Sequence, residues 1–201
     1  MTEKKLLNVF LLPLESSDKE QFIKDCQESF KYGATEEFGM RDNHFDKEGQ
    51  TISREHLEKP INDKNYNSYR IILDNKKVGG VILKIEKEKK TGEMDILFVN
   101  KDAHSKGIGT STWMTIEKMF PDIELWITHT PYYEKRNIHF YINVLGFHAV
   151  EFKHKRNSPK NDKNEFRGPE EFFKFEKKNK IIKISFFNLK KRIINLNIEF
   201  Y

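Results

Sequence analysis

Two glycines stand where a helix should begin. In residues 95–120, DILFVNKDAHSKGIGTSTWMTIEKMF, an apolar strand-like run turns at Gly107 and Gly109 into an amphipathic segment. A helix N-terminus leaves its first N–H groups without intrahelical acceptors and carries partial positive charge, so it takes a phosphate when no Cβ blocks the approach. The turn can cradle a pyrophosphate, with Lys106 or His104 beside it; a purely structural turn that needs positive φ fits the same residues. It is not a Gly-x4-Gly-Lys-Ser/Thr loop, nor Gly-x-Gly-x-x-Gly, since position 112 is Thr. A second group lies in EKRNIHFYINVLGF. Asn137 and Tyr141, four apart, share one helix face, while Ile138, Ile142 and Leu145 make another, apolar one that can pack on a sheet. Asn137 and Tyr141 can then face a cleft, although a tyrosine at the edge of a core has the same pattern.

These groups need elements to hold them. Residues 6–12 are β-like, and Ser17 with Glu20 has the spacing of a capping box opening a helix whose apolar stripe is Phe22, Cys26 and Phe30. Residues 36–68 are polar and poorly periodic, with one short helix expected around 54–58. Strands follow at 69–73 and 78–85, joined by Asp74 and Asn75, and a turn at Thr91 and Gly92 leads into a strand over 93–99. Alternation of Val81, Leu83 and Ile85 with Lys84 and Glu86 predicts one buried and one wet face. Trp113, Ile116 and Phe120 set a helix over 107–120, closed by Pro121. DIELWITH is the next strand, EKRNIHFYINVLG the next helix, and FHAVEF and EEFFKFEK two further strands. From residue 179 the chain alternates Ile194, Leu196, Ile198 and Phe200 with polar residues, as an extra strand or hairpin would.

LFVNKDAHSKGIGTSTW resembles the acetyl-CoA-binding motif of the Gcn5-related N-acetyltransferase (GNAT) superfamily, Gln/Arg-x-x-Gly-x-Gly/Ala at a strand-to-helix turn, with His104 at the Gln/Arg position. NIHFYINVLGF resembles that family's second hallmark through Asn137, Tyr141, Gly146 and Phe147. The resemblance covers residues 5–177. It implies an α/β (α+β) fold, a mixed, mostly antiparallel central sheet flanked by helices in the acyl-CoA N-acyltransferase manner. Residues 1–178 would form this domain and residues 179–201 a basic C-terminal extension. The implied activity is acetyl transfer from acetyl-CoA to an amine, without a metal.

Further roles follow from the same resemblance. Leu97, Phe98 and Val99 would contact the cofactor through main chain, where their strand splays from DIELWITH. His104, Ser105, Lys106, Gly107, Ile108, Gly109 and Thr110 would bind it through their amides, and Asn137 and Tyr141 would complete the site. Tyr141 would protonate the leaving sulfur or hold it by a hydrogen bond. Three groups are open as the base: Glu93, which lies eleven residues before His104, the offset of the glutamate in the histone-acetylating branch; Asp95 on the same strand face; and His129, whose ordinary pKa suits the task. The acceptor site would lie between the first helix and residues 36–46, where Glu36, Glu37 and Asp42 suit a cationic amine.

Composition limits the alternatives. The net charge of +5 is uneven: residues 1–152 are net −3 and residues 153–201 net +8, so any nucleic-acid or anionic membrane surface would be confined to the tail. A binding module acting through KKNKIIKISFFNLKKR is one competing reading, and a non-catalytic acetyl-CoA sensor another. Cys26 is the only cysteine, which excludes an intrachain disulfide and a thiolate metal cluster and fits a reducing cytoplasm. No Gly-x-Ser-x-Gly or His-Glu-x-x-His occurs, against a hydrolase or zinc protease. No stretch reaches the ~18 to 20 apolar residues of a membrane span. The assembly state is open, with a homodimer among the options.

Overall fold

The structure is a computed structural model that describes residues 6–37, 48–103, 107–154 and 171–179. Its elements run β1 (Phe10–Pro13), α1 (Lys19–Tyr32), α2 (Arg54–Asn62), β2 (Tyr66–Leu73), β3 (Lys76–Glu86) and β4 (Thr91–Val99). They continue with α3 (Ile108–Met119), β5 (Leu125–Pro131), α4 (Lys135–His139), β6 (His148–His154) and β7 (Glu171–Lys178). One seven-stranded sheet results, in the order β1-β2-β3-β4-β5-β7-β6. Only β4 and β5 pair in parallel, across the connection that carries α3; the other neighbours are antiparallel.

Helices cover both faces of this sheet. On one side Phe22, Ile23 and Cys26 of α1 and Leu57 of α2 pack on Ile82, Ile96 and Phe98. On the other, Trp113 and Ile116 of α3 pack with Trp126, Phe147 and Phe175. Val81, Ile82 and Leu83 are consequently all fully buried. That corrects the alternation expected in β3: the strand is exposed at Lys76 and Lys77 and half-buried from Lys84 to Glu86, and its middle is dry on both faces because α1 and α2 cover the second one.

The start of α1 also differs from expectation. Ser17 and Glu20 form no capping box: the helix is entered through a 3-10 turn at Ser16–Asp18, and its N-cap residue Asp18 makes no side-chain cap bond. Stronger partners take these groups. Glu20 pairs with Arg54 at 2.6 Å, and Asp18 with the buried Arg70 at 2.7 Å. Arg70 also meets Asp25 at 2.7 Å and lies 5.0 Å from the Phe22 ring centre, so one guanidinium fastens α1 to β2. The short helix expected at 54–58 runs to Asn62, capped by Ser53, whose hydroxyl accepts from the His56 N–H at 3.2 Å.

Two irregularities shape the middle of the sheet. Ile82 stands opposite Ile96 and Leu83 opposite Met94, so Asp95 is an extra residue bulged out of β4. Beyond it, β4 and β5 part company. They pair only from Thr91↔Leu125 to Met94↔Thr128, yet β4 keeps β3 through Val99 and β5 keeps β7 through Pro131. Each strand therefore retains its outer neighbour while losing the inner one, and a gap opens along residues 95–99.

Candidate active site

The cleft that this gap opens holds about 280 Å³. Leu97, Phe98 and Val99 form one wall, Gly107 to Thr110 at the start of α3 another, and Asn137 and Tyr141 a third. Every described residue expected to touch a cofactor thus lines one cavity. His104, Ser105 and Lys106 lie outside the described residues.

The glycines have distinct reasons to be there. Gly107 has φ +79°, the left-handed conformation that side chains resist, in open surroundings. A Cβ on Gly109 would meet the Phe140 ring at 3.1 Å, so this residue lets the start of α3 lie close against the segment after α4. The first intrahelical bond runs from the Ser111 N–H to the Gly107 carbonyl at 3.0 Å, which leaves the amides of residues 108–110 without intrahelical acceptors at the cleft.

Tyr141 is nearly buried, 8% exposed, against Phe147 and Phe175 at ring-centre distances of 5.9 and 5.6 Å. Its helix is not the regular one expected. After five residues α4 widens into a π-helical turn over Phe140–Val144, and this shift turns Tyr141 inward while leaving Ile142 38% exposed instead of packed on the sheet. Burial pushes the Tyr141 phenol up to about 12, opposed by its side-chain hydrogen bond with Thr128. Asn137 donates to the Glu134 carboxylate at 3.3 Å, on the cleft wall.

Glu93, Asp95 and His129 do not line the cleft; they cluster at the point where the strands part. His129 Nδ1 lies 3.3 Å from Glu93, and this hydrogen bond holds the Glu93 carboxyl below its usual range against the effect of burial. Asp95 goes the other way. Burial, reinforced by the Glu93 charge, raises it to about 6, with His129 and Lys84 opposing. Among the described residues no group of three or more His, Cys, Asp or Glu side chains is arranged to hold a metal ion.

Comparison with known proteins now bears on these features. The model of the GNAT acetyltransferase family matches residues 31–147, from the end of α1 to Phe147, and so spans the bulge, the glycine turn and Tyr141. The chain belongs to the GNAT acetyltransferase family. A relative, the uncharacterized protein YrkN of Bacillus subtilis (strain 168), is 35% identical over 176 residues, covering 84% of this chain and 92% of its own. An acetyltransferase from Thermus thermophilus superposes with a TM-score of 0.60 at 15% identity, covering 87% of this chain and 99% of its own. A PaiA N-acetyltransferase from Thermoplasma acidophilum, solved with coenzyme A, gives 0.56 at 17% identity, covering 86% and 100%. A GNAT acetyltransferase from Elizabethkingia anophelis with acetyl-CoA bound gives 0.55 at 12%, covering 86% and 99%. At these identities the likeness is one of fold, and it agrees with the mixed sheet and its flanking helices.

Several residues of this cleft escaped the sequence reading. Ser29, Phe30 and Gly33 bring the end of α1 to the cleft, and Glu134 and Phe140 line its far side.

Proposed function

We propose that this protein is an N-acetyltransferase that moves an acetyl group from acetyl-CoA directly to a primary amine of a small molecule or protein. One observation carries the reading: the gap between β4 and β5 has a buried phenol on one side and a carboxylate pair at its apex. The cleft suits the cofactor on its own geometry, since a glycine-bearing helix N-terminus favours phosphate and a strand edge that has parted from β5 beyond Met94 offers main-chain groups to an amide-bearing arm. Bound acetyl-CoA supplies a thioester whose carbonyl an amine can attack and whose thiolate departs. The residues that would hold it are Leu97, Phe98 and Val99, the turn residues 104–110, Asn137 and Tyr141.

Magnitudes assign the polar groups. A phenol near 12 is a weaker acid than a thiol near ~8.5, so full proton transfer from Tyr141 to the departing sulfur is uphill by roughly 3.5 pH units. Tyr141 therefore acts by donating a hydrogen bond to the developing thiolate and keeps its proton. Of the three candidate bases, Asp95 suits best: at about 6 it is ionised at neutral pH yet basic enough to draw a proton from the amine through water. Glu93, held low by His129, orients and charges the site. The carboxylates favour a cationic acceptor, and Glu36, Glu37 and Asp42 extend that preference; residues 38–47 lie outside the described residues.

The test is release of free thiol when the protein is mixed with acetyl-CoA and a panel of primary amines. Amine-dependent release is expected, and Tyr141→Phe should lower kcat and kcat/KM together by about 10- to 100-fold, since the bond is made only as charge develops. Saturable binding without thiol release would favour the sensor reading; parental rates in Tyr141→Phe would remove the phenol's role. Among the described residues no helix is long and apolar enough to cross a membrane. A cytoplasmic acetyltransferase unit over residues 1–178, alone or as a homodimer and carrying a basic extension over 179–201, completes the proposal.

A further inference from the structure

Three side chains stand in one row across the sheet, on the face that packs under α1 and α2. Tyr66 of β2 is opposite Lys84 of β3, and Lys84 is opposite Glu93 of β4. Residues directly opposite in antiparallel strands share a face, with Cβ atoms roughly 5 Å apart. Beyond Glu93 the row reaches His129 of β5, 3.3 Å away. Lys84 Nζ lies 5.9 Å from the centre of the Tyr66 ring, which makes the ring one wall around the ammonium. Its ion pair is a long one: Glu86 stands 3.8 Å away and is held more closely by Lys89, at 2.9 Å. With its side chain 35% exposed, Lys84 is a half-buried cation with a loose partner, one strand from the carboxylates where β4 and β5 part.

We propose that Lys84 is a specificity-determining residue that binds an anionic group on the acceptor, so that the amine acetylated is that of an amino acid, with its nitrogen at Glu93 and Asp95 and its carboxylate at Lys84. The two ends of such an acceptor match the two signs of the site. Neighbouring strands lie ~4.8 Å apart, a distance that the few bonds between the two ends of an amino acid span. A charge-assisted hydrogen bond from Lys84 to the carboxylate then takes the place of the long pair with Glu86. A diamine instead sets its second ammonium against Lys84. In the transfer the amine gives its proton to Asp95 through water, its nitrogen bonds to the acetyl carbon, and the C–S bond of the thioester breaks as the thiolate leaves; the acceptor's carboxylate is unchanged. This inference rests on the reading of the protein as an N-acetyltransferase and names the acceptor's class.

The test is thiol release from acetyl-CoA with matched acceptors: glycine, β-alanine and γ-aminobutyrate, each beside its carboxamide, which keeps the shape and lacks the negative charge. In the parent, kcat/KM for at least one of these acids is expected to exceed that for its amide by about tenfold, the worth of one hydrogen bond to a charged group. In Lys84→Met that ratio should fall to within about twofold, while Lys84→Arg, which keeps the charge, should retain most of it. Because the ratio is read within each variant, a lower yield of folded protein or a slower overall rate does not imitate the effect. Equal use of acid and amide by the parent, or a preference that survives in Lys84→Met, would overturn the proposal. Release with other amines but with none of the amino acids would also overturn it and leave acetyl transfer standing. Release with no amine at all would remove the transfer reading, and this inference with it.

Discussion

Two residues apart on β4, Glu93 and Asp95 are driven in opposite directions, Glu93 down by its hydrogen bond with His129 and Asp95 up to about 6 by burial and the Glu93 charge. If Asp95 is the base, it works only when ionised, so kcat/KM should climb as pH rises through about 6. Asp95→Asn should remove that limb and lower kcat/KM at pH 8 by about 10²-fold or more, the usual worth of a positioned base. Glu93→Gln should move the limb to lower pH, because it removes a charge that raises Asp95. A profile with the same limb in Asp95→Asn would assign the titration to another group. All three of these side chains are conspicuous in the sequence, but only as separate candidates. Which one can act depends on their being brought together, and Glu93 meets His129 through strand pairing across thirty-six positions of chain.

Among the elements, what the sequence makes legible is local. The Asp74–Asn75 turn, with both residues at positive φ, and the run of hairpin strands β2, β3 and β4 follow from neighbours in the chain. The Asp95 bulge and the gap between β4 and β5 do not, because each is a relation of register between strands and leaves no mark on either one alone. The capping box misled for the same reason: Ser17 and Glu20 have the right spacing, but Arg54 and Arg70, far along the chain, recruit Glu20 and Asp18. Arg70 provides a test at this scale. Arg70→Ala takes the buried guanidinium from Asp18 and Asp25 and leaves them only Lys77 and Gln21 as partners, and breaking such a buried pair costs about 3 kcal/mol, or a Tm lower by roughly 6 to 12 °C. Although burial alone would raise Asp18, its bonds with Arg70 and Lys77 hold it below the ordinary aspartate value of 3.8. Its contribution is therefore present above that value and lost as pH falls through the lowered folded value, so the gap between parent and variant should narrow in acid. A Tm unchanged within a degree or two would show that the Arg70 cluster does not secure α1.

At the scale of the molecule, composition separates two parts without saying how they relate: residues 1–152 are net acidic, and the basic excess belongs to residues 153–201. The described sheet closes with β7 at Lys178, and residues 180–201 lie outside what the structure describes. Of the two apolar cores, the one under α3 joins Val81, Leu83 and Met94 to Trp126 and Phe175 and so holds both halves of the sheet beside the gap, whereas the one under α1 and α2 rests on the β3 and β4 half alone. Neither core is divided by the cleft; it passes along the edge of β4 and between the starts of α3 and α4. The central claim is that this cleft takes acetyl-CoA. The most direct measurement is calorimetric titration of the full 201-residue chain with acetyl-CoA, alongside a Gly107→Trp variant whose fold is verified by circular dichroism. Saturable binding at one site by the parent, abolished in the folded variant, is the expected result. Absence of binding by the folded parent, or equal binding by the variant, would contradict it.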